Sequence, residues 1–173
     1  MSIKLGEGSS ISPKASVYGD IEVGDNCRID DFCILTGKIK FGNNIHLACF
    51  SFLSGGEGIF LEDFSQFAPR TTMLTASDDY HGNSLVGPCL PDDLKPALKR
   101  GAIYIGRHAL LGACTVVMPG VKIFEGAVTG AFSFVNKDLD AWTMYVGMPV
   151  RYLRDRNKQI LELEEQWHKG LIR

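Results

Sequence analysis

Four residues of this 173-residue chain have the types and the setting for acid–base chemistry: His46, Asp78, Asp79 and His81. An imidazole ordinarily titrates near neutrality, so it can take a proton from a hydroxyl as that oxygen attacks an electrophile. A carboxylate can orient such an imidazole or hold a polar substrate. His46 stands last in the six-residue unit FGNNIH and therefore faces outward, while Asp78, Asp79 and His81 stand together in MLTASDDYHG. His46 is read as the base, with Asp78 or Asp79 orienting it or the substrate, and His81 in reserve. His108, inside IGRHAL, and His168, beside Trp167, are read as structural. Five cysteines, an odd number without a CxxC pair, suggest small buried residues in a reducing compartment rather than disulfides or a zinc ribbon. No metal site is expected.

The elements that position these residues follow from a period of six. Stepping by six from Ile11 gives Val17, Val23, Ile29, Leu35, Phe41, Leu47 and Leu53. After a two-residue slip at 59–60 come Leu61, Phe67 and Met73, and later Ile105, Leu111, Val117, Ile123, Thr129 and Val135. Only Thr129 of the seventeen is not apolar, which neither a helical period nor simple strand alternation produces. Four residues after each lies a second, mostly small set, such as Ala15, Cys27, Cys33, Ser51, Ser65, Ala109, Thr115 and Ala127; Ile21, Ile39, Ile45, Glu57 and Leu139 depart from it. Large residues fill the flat sides of a coil and small ones its corners. Three hexads close one triangular turn, so the fold class is all-β, a parallel β-helix of between five and six turns over 1–151. Its hand does not follow from the hexads.

The hexads stop at 79–102, a stretch with Pro88, Pro91 and Pro96 that is too irregular for a further strand and is read as one projecting loop. Loops this long in a compact domain are commonly functional. Over 152–173, Leu153, Ile160, Leu163, Trp167 and Leu171 form one stripe of an amphipathic helix, expected to cap the exposed strand edges of the coil. The net charge of −2 argues against a nucleic-acid partner on electrostatic grounds. Residues 1–10 lack a charged-then-apolar leader and no apolar run has membrane-spanning length, so the expectation is a cytoplasmic protein without membrane insertion.

With these features in place, the chain resembles the left-handed β-helix (hexapeptide-repeat) acyltransferases, specifically the sugar O- and N-acetyltransferases of bacterial surface polysaccharide pathways such as lipopolysaccharide and O-antigen biosynthesis. IGRHALLGACTVVMPGVKIFEGAVTGAFSFVNKDL followed by VGMPVR looks like their cofactor-binding end, and SDDY with its long loop looks like the subgroup acting on O-antigen or nucleotide-linked sugars. The resemblance implies the left-handed sense, acetyl-CoA as co-substrate, a homotrimer with sites between neighbouring coils, and a sugar or nucleotide-sugar acceptor. It places backbone contacts to acetyl-CoA on Ala113 and Ala131, Lys137 close to the cofactor, and Arg151 and Arg154 near its phosphates. The galactoside branch carries a His where this chain has Asp78. Two rivals share the fold. A zinc carbonic anhydrase needs an HxxxxH pair that is missing here, and a non-catalytic scaffold would leave the cofactor set as coincidence.

Overall fold

The computed structural model describes residues 2–171, which form a left-handed parallel β-helix with three faces. The first face stacks Ser10–Ile11, Arg28–Ile29, His46–Leu47, Gln66–Phe67, Leu110–Leu111, Val128–Thr129 and Thr143–Val146 in parallel. The second runs through the first parts of Ser16–Val23, Ile34–Phe41 and Phe52–Leu61, then Thr72–Leu74, Val116–Val117 and Phe134–Val135. The third uses the later parts of those long strands, with Ser2–Leu5 below and Ile103–Ile105 and Lys122–Ile123 above. The coil is therefore longer than the hexads predict. Ser2–Leu5 already pairs with 20–23, and Thr143–Val146 adds a rung beyond the last counted hexad.

The apolar hexad residues line a continuous core in which Leu35, Leu47, Leu53, Met73, Leu111, Val117 and Val135 are fully buried. Two of the three corners are tight. One turns through Phe32, Phe50, Arg70, Cys114 and Phe132, the other through Asn26, Asn44, Phe64, His108 and Trp142, all in the left-handed region. Such a residue costs roughly 1–2 kcal/mol. Its N–H is satisfied by the coil below, as in Phe132 N–H to Ala113 O at 2.7 Å. The third junction is gentler, because strands bend through it at Gly19, Gly37 and Gly55; a Cβ on Gly19 would lie 2.0 Å from the Gly37 carbonyl oxygen. That bend leaves interior room, and so Ile21 and Ile39 are buried where the size rule asked for small residues.

The projecting loop is shorter than its predicted span. Lys99–Arg100 is a strand paired antiparallel with Ala76–Ser77, so the loop proper is 78–98. The C-terminal segment needs a larger correction. Arg151–Asp155 is not helical but an antiparallel strand on Thr143–Val146, and the helix α1 covers only Gln159–His168; residues 172–173 of the predicted helix lie outside the described residues. Nor does α1 bury the predicted stripe, since Leu163, Trp167 and Leu171 are exposed. Its anchor is Glu164, which pairs with Arg107, His108 and His168 while Trp167 meets Phe64 edge-on. Burial, with the positive charges of Arg107 and Arg156, holds the His108 imidazole below its ordinary pKa. The helix thus packs along a cationic corner, and the edge of the first face is covered by Arg151–Asp155 instead.

Candidate active site

The first-to-second corner repeats one local device. Ser51, Thr71, Thr115 and Ser133 each donate a hydroxyl to the carbonyl three residues back, on Ala48, Ala68, Gly112 and Gly130, at 2.7 to 2.8 Å. Each side chain is buried, so a small residue with a donor is what that corner needs. Fixing those carbonyls inward leaves a smooth outer corner built from Cys49, Pro69, Ala113 and Ala131 on successive coils. Ala113 is half-buried and Ala131 exposed, and the N–H groups of both make no hydrogen bond among the described residues. Free backbone donors repeating at roughly 4.8 Å, unshielded by bulk, suit an extended chain bearing amides.

One end of this track is basic. A bulge at Leu153 brings Arg154 opposite Met144 and Arg151 opposite Val146. Residues 144 and 146 point the same way along their strand, with Tyr145 between them buried, so both arginines share the outer side of the first face. Neither makes an ion pair among the described residues, and both are exposed. Lys137 is also exposed, its Nζ 5.9 Å from the ring centre of Tyr145 on the closing coil.

Toward the other end stands His46. The outer column of the first face runs Arg28, His46, Gln66, Leu110, Val128, Met144, Arg154, in register. From Arg154 to His46 is five strand spacings, roughly 24 Å. His46 Nε2 lies 2.8 Å from Asp30 Oδ2, and Arg28 Nε donates to Asp30 Oδ1 at 2.8 Å. Partial burial pushes the Asp30 carboxyl up, but the hydrogen bonds from Arg28 and His46 outweigh it and leave it below the ordinary carboxylate range. Within one chain the carboxylate paired with His46 is Asp30, and neither Asp78 nor Asp79, expected to orient it or the substrate, reaches it. The rung register carries the signal: with Arg28 beneath His46, Asp30 lies within reach one strand away.

Asp78, Asp79 and His81 sit elsewhere in the chain, where the loop leaves the coil beyond the second face. Asp79 is buried and accepts the N–H groups of His81 at 3.0 Å and Asn83 at 2.6 Å. These backbone donors, His81 first, hold its carboxyl below the usual range and make it a clamp for the loop's first turn. Asp78 is half-buried; Oδ2 accepts the Gly87 N–H at 3.3 Å, and Oδ1 has no hydrogen bond among the described residues. His81 is exposed. Within one chain, then, the corner of Ala113 and Ala131 and His46 share a side, while the loop carboxylates stand at another corner. Among the described residues no three His, Cys, Asp or Glu side chains come together to hold a metal.

No family profile matches the chain. It is 36% identical to the dTDP-4-amino-4,6-dideoxy-D-glucose acyltransferase of Escherichia coli, over 97% of this chain and 90% of that protein. It is also similar to AntD, an N-acyltransferase from Bacillus cereus. The S84C mutant of AntD in complex with dTDP-4-amino-4,6-dideoxyglucose and coenzyme A is 42% identical, with a TM-score of 0.93 and coverage of 96% of this chain and 90% of that one. The complex of AntD with dTDP and 3-hydroxybutyryl-CoA gives 42%, 0.92, and coverage of 96% and 89%. The chain belongs to the hexapeptide-repeat, left-handed β-helix acyltransferases. It is an enzyme, a sugar acyltransferase that takes acyl-CoA as co-substrate.

Proposed function

We propose that this enzyme transfers the acetyl group of acetyl-CoA to the 4-amino group of a dTDP-linked 4-amino-4,6-dideoxy sugar, in the cytoplasm, during surface-polysaccharide synthesis. The observation that carries the reading is end-to-end similarity to two enzymes whose names specify that acceptor or an N-acyl product. The neutral amine attacks the thioester carbonyl; an N–C bond forms, the C–S bond breaks, and coenzyme A leaves as the thiol while the amide nitrogen loses a proton. Arg151 and Arg154 bind the nucleotide phosphates of acetyl-CoA, Lys137 lies beside it, and the N–H groups of Ala113 and Ala131 line the path of its pantetheine arm. The thioester then lies near the coil of His46 and Asp30. Asp78 of a neighbouring copy holds the acceptor amine, while Asp79 shapes the loop and His81 stands at its rim.

The second face supports such a neighbour. Its outward column reads Ile34, Phe52, Thr72, Val116, Phe134 on consecutive rungs, with the exposed Tyr18 and half-buried Met118 beside it. Outward positions of a free solenoid are normally polar, and a column apolar at four of its five rungs supports a protein interface. A homotrimer packed through this face sets the loop of one chain against the cofactor track of the next.

Thiol release from acetyl-CoA tests the acceptor. dTDP-4-amino-4,6-dideoxyglucose should support it, with an amide product, while its 4-hydroxy counterpart and the free amino sugar should be far poorer. Preference for the 4-hydroxy sugar would contradict the reading. The phosphate contacts are tested separately. Arg151→Ala and Arg154→Ala should each weaken acetyl-CoA by about tenfold or more, because a hydrogen bond to a charged group contributes roughly 1.5–3 kcal/mol. The loss should be smaller for acetyl-dephospho-CoA, and equal losses would remove these arginines from the phosphate site.

A further inference from the structure

The projecting loop contains one feature that its exposure does not explain. Lys95 is buried, its side chain only 6% accessible, in a segment where most residues face solvent. Taking an ammonium out of water costs several kcal/mol unless it is paired and hydrogen-bonded. Lys95 Nζ pairs with Asp92 Oδ1 at 2.8 Å and donates to the Gly87 carbonyl at 3.4 Å. Gly87 is the residue whose N–H reaches Asp78 Oδ2. Its φ is +99°, a conformation that L side chains rarely adopt, so its N–H, in the peptide before it, keeps its direction only while that turn is held through its carbonyl, in the peptide after it.

The grip extends back to the coil. Asp92 Oδ2 accepts Arg100 Nη2 at 2.6 Å, and Arg100 Nη1 reaches Glu57 Oε1 at 3.2 Å. Strand pairing puts the two-residue insertion within 56–58 rather than at 59–60, so Glu57 sits in it, with its own N–H on the Thr75 hydroxyl at 3.2 Å. The slip in the hexad phase thus has a physical use: it raises Glu57 to meet the base of the loop. The ion-pair chain Glu57, Arg100, Asp92, Lys95 ends on Gly87 and, through it, on Asp78. The loop has other clamps that leave Gly87 alone, such as Ser84 Oγ accepting the Ala97 N–H at 2.7 Å.

Resting on the reading that Asp78 serves the acceptor, we infer that Lys95 is a positioning residue: it holds Gly87 by the carbonyl, and Gly87 sets the Asp78 carboxylate for the sugar amine.

The test is steady-state kinetics of the intact enzyme with acetyl-CoA and dTDP-4-amino-4,6-dideoxyglucose. Lys95→Met should lower kcat by about tenfold or more with the KM for acetyl-CoA unchanged. Lys95→Arg, which keeps donors and charge, should recover most of the rate. Residues acting through one another are not additive, so Lys95→Met on top of Asp78→Asn should cost nothing further. A merely structural lysine would multiply the two losses. Ser84→Ala, a loosened clamp of another kind, should change kcat by less than about threefold. An unchanged kcat in Lys95→Met, or multiplying losses, overturns the inference and leaves the role of Asp78 standing. An active Asp78→Asn enzyme overturns both. If Lys95→Met does not fold, Gly87→Ala carries the same test. Its methyl meets nothing within 4 Å, so only the backbone conformation is disturbed, and kcat should again fall without a further loss in Asp78→Asn.

Discussion

Asp78→Asn should reduce kcat toward a dTDP-4-amino sugar by about a hundredfold or more, whereas His46→Ala should reduce it by less than about tenfold. The contrast follows from what each acceptor needs. A hydroxyl is a poor nucleophile until a base takes its proton, and a positioned base contributes roughly 10²–10⁴-fold. A neutral amine already offers its lone pair and sheds its proton after attack. What it needs is to be held at the thioester and to have an acceptor for the proton it sheds after attack, and a carboxylate with one unbonded oxygen, such as Asp78, can do both. His46 has the geometry of a base, with Asp30 at 2.8 Å and Arg28 fixing Asp30. It would dominate only with a hydroxyl acceptor. Steady-state rates at saturating donor and acceptor decide. A hundredfold loss in His46→Ala beside an active Asp78→Asn enzyme would make this an O-acyltransferase that uses the His46–Asp30 pair.

The second large effect concerns assembly. Replacing Ile34 and Phe52 together with Glu should convert the enzyme to monomers and lower activity by more than about a hundredfold, with its far-ultraviolet circular dichroism intact. Both side chains point away from the core on the second face, so the β-helix should survive. Two carboxylates buried against a neighbour, however, face a desolvation cost without a partner charge. Sedimentation equilibrium gives the mass. A variant that remains trimeric and active would show that the subunits associate through another face.

Much of this was written in the hexads. Residues such as Leu35, Leu53 and Val117 reveal themselves because an inward position on a stacked coil tolerates only apolar side chains, and the coil repeats that demand every sixth residue. Rung pairing was less legible. The two-residue insertion at Phe52–Leu61 and the loop at 78–98 break the arithmetic of eighteen, so His46 meets Gln66 twenty residues on and Gln66 meets Leu110 forty-four residues on. Asp30 was missed for a related reason. Its partnership with His46 belongs to the stacking of two coils, while the sequence set His46 against the nearest conspicuous carboxylates, Asp78 and Asp79. The C-terminal stripe misled because Leu153 falls at a helical interval from Ile160, yet 151–155 finds an open strand edge to pair with, and that local period is overridden. Arg151 and Arg154 were named as a pair by resemblance alone. That they face one way depends on the bulge at Leu153, which no single-chain periodicity announces.

Two copies of the chain should build each site, with the loop from one and the cofactor track from the other. Mixed trimers of two inactive variants test it most directly. Ala131→Phe places bulk on the outer corner and should block acetyl-CoA without disturbing the core, since residue 131 is exposed. Asp78→Asn disables the loop and leaves the track whole. Each alone should be nearly inactive. Denatured together in equal amounts and refolded, they form trimers in which about a quarter of the interfaces join an intact loop to an intact track. Thiol release with dTDP-4-amino-4,6-dideoxyglucose should then return to about a quarter of the wild-type rate. A mixture as inactive as its parents, in trimers shown by mass to be mixed, would contradict the account and place loop and track within one chain.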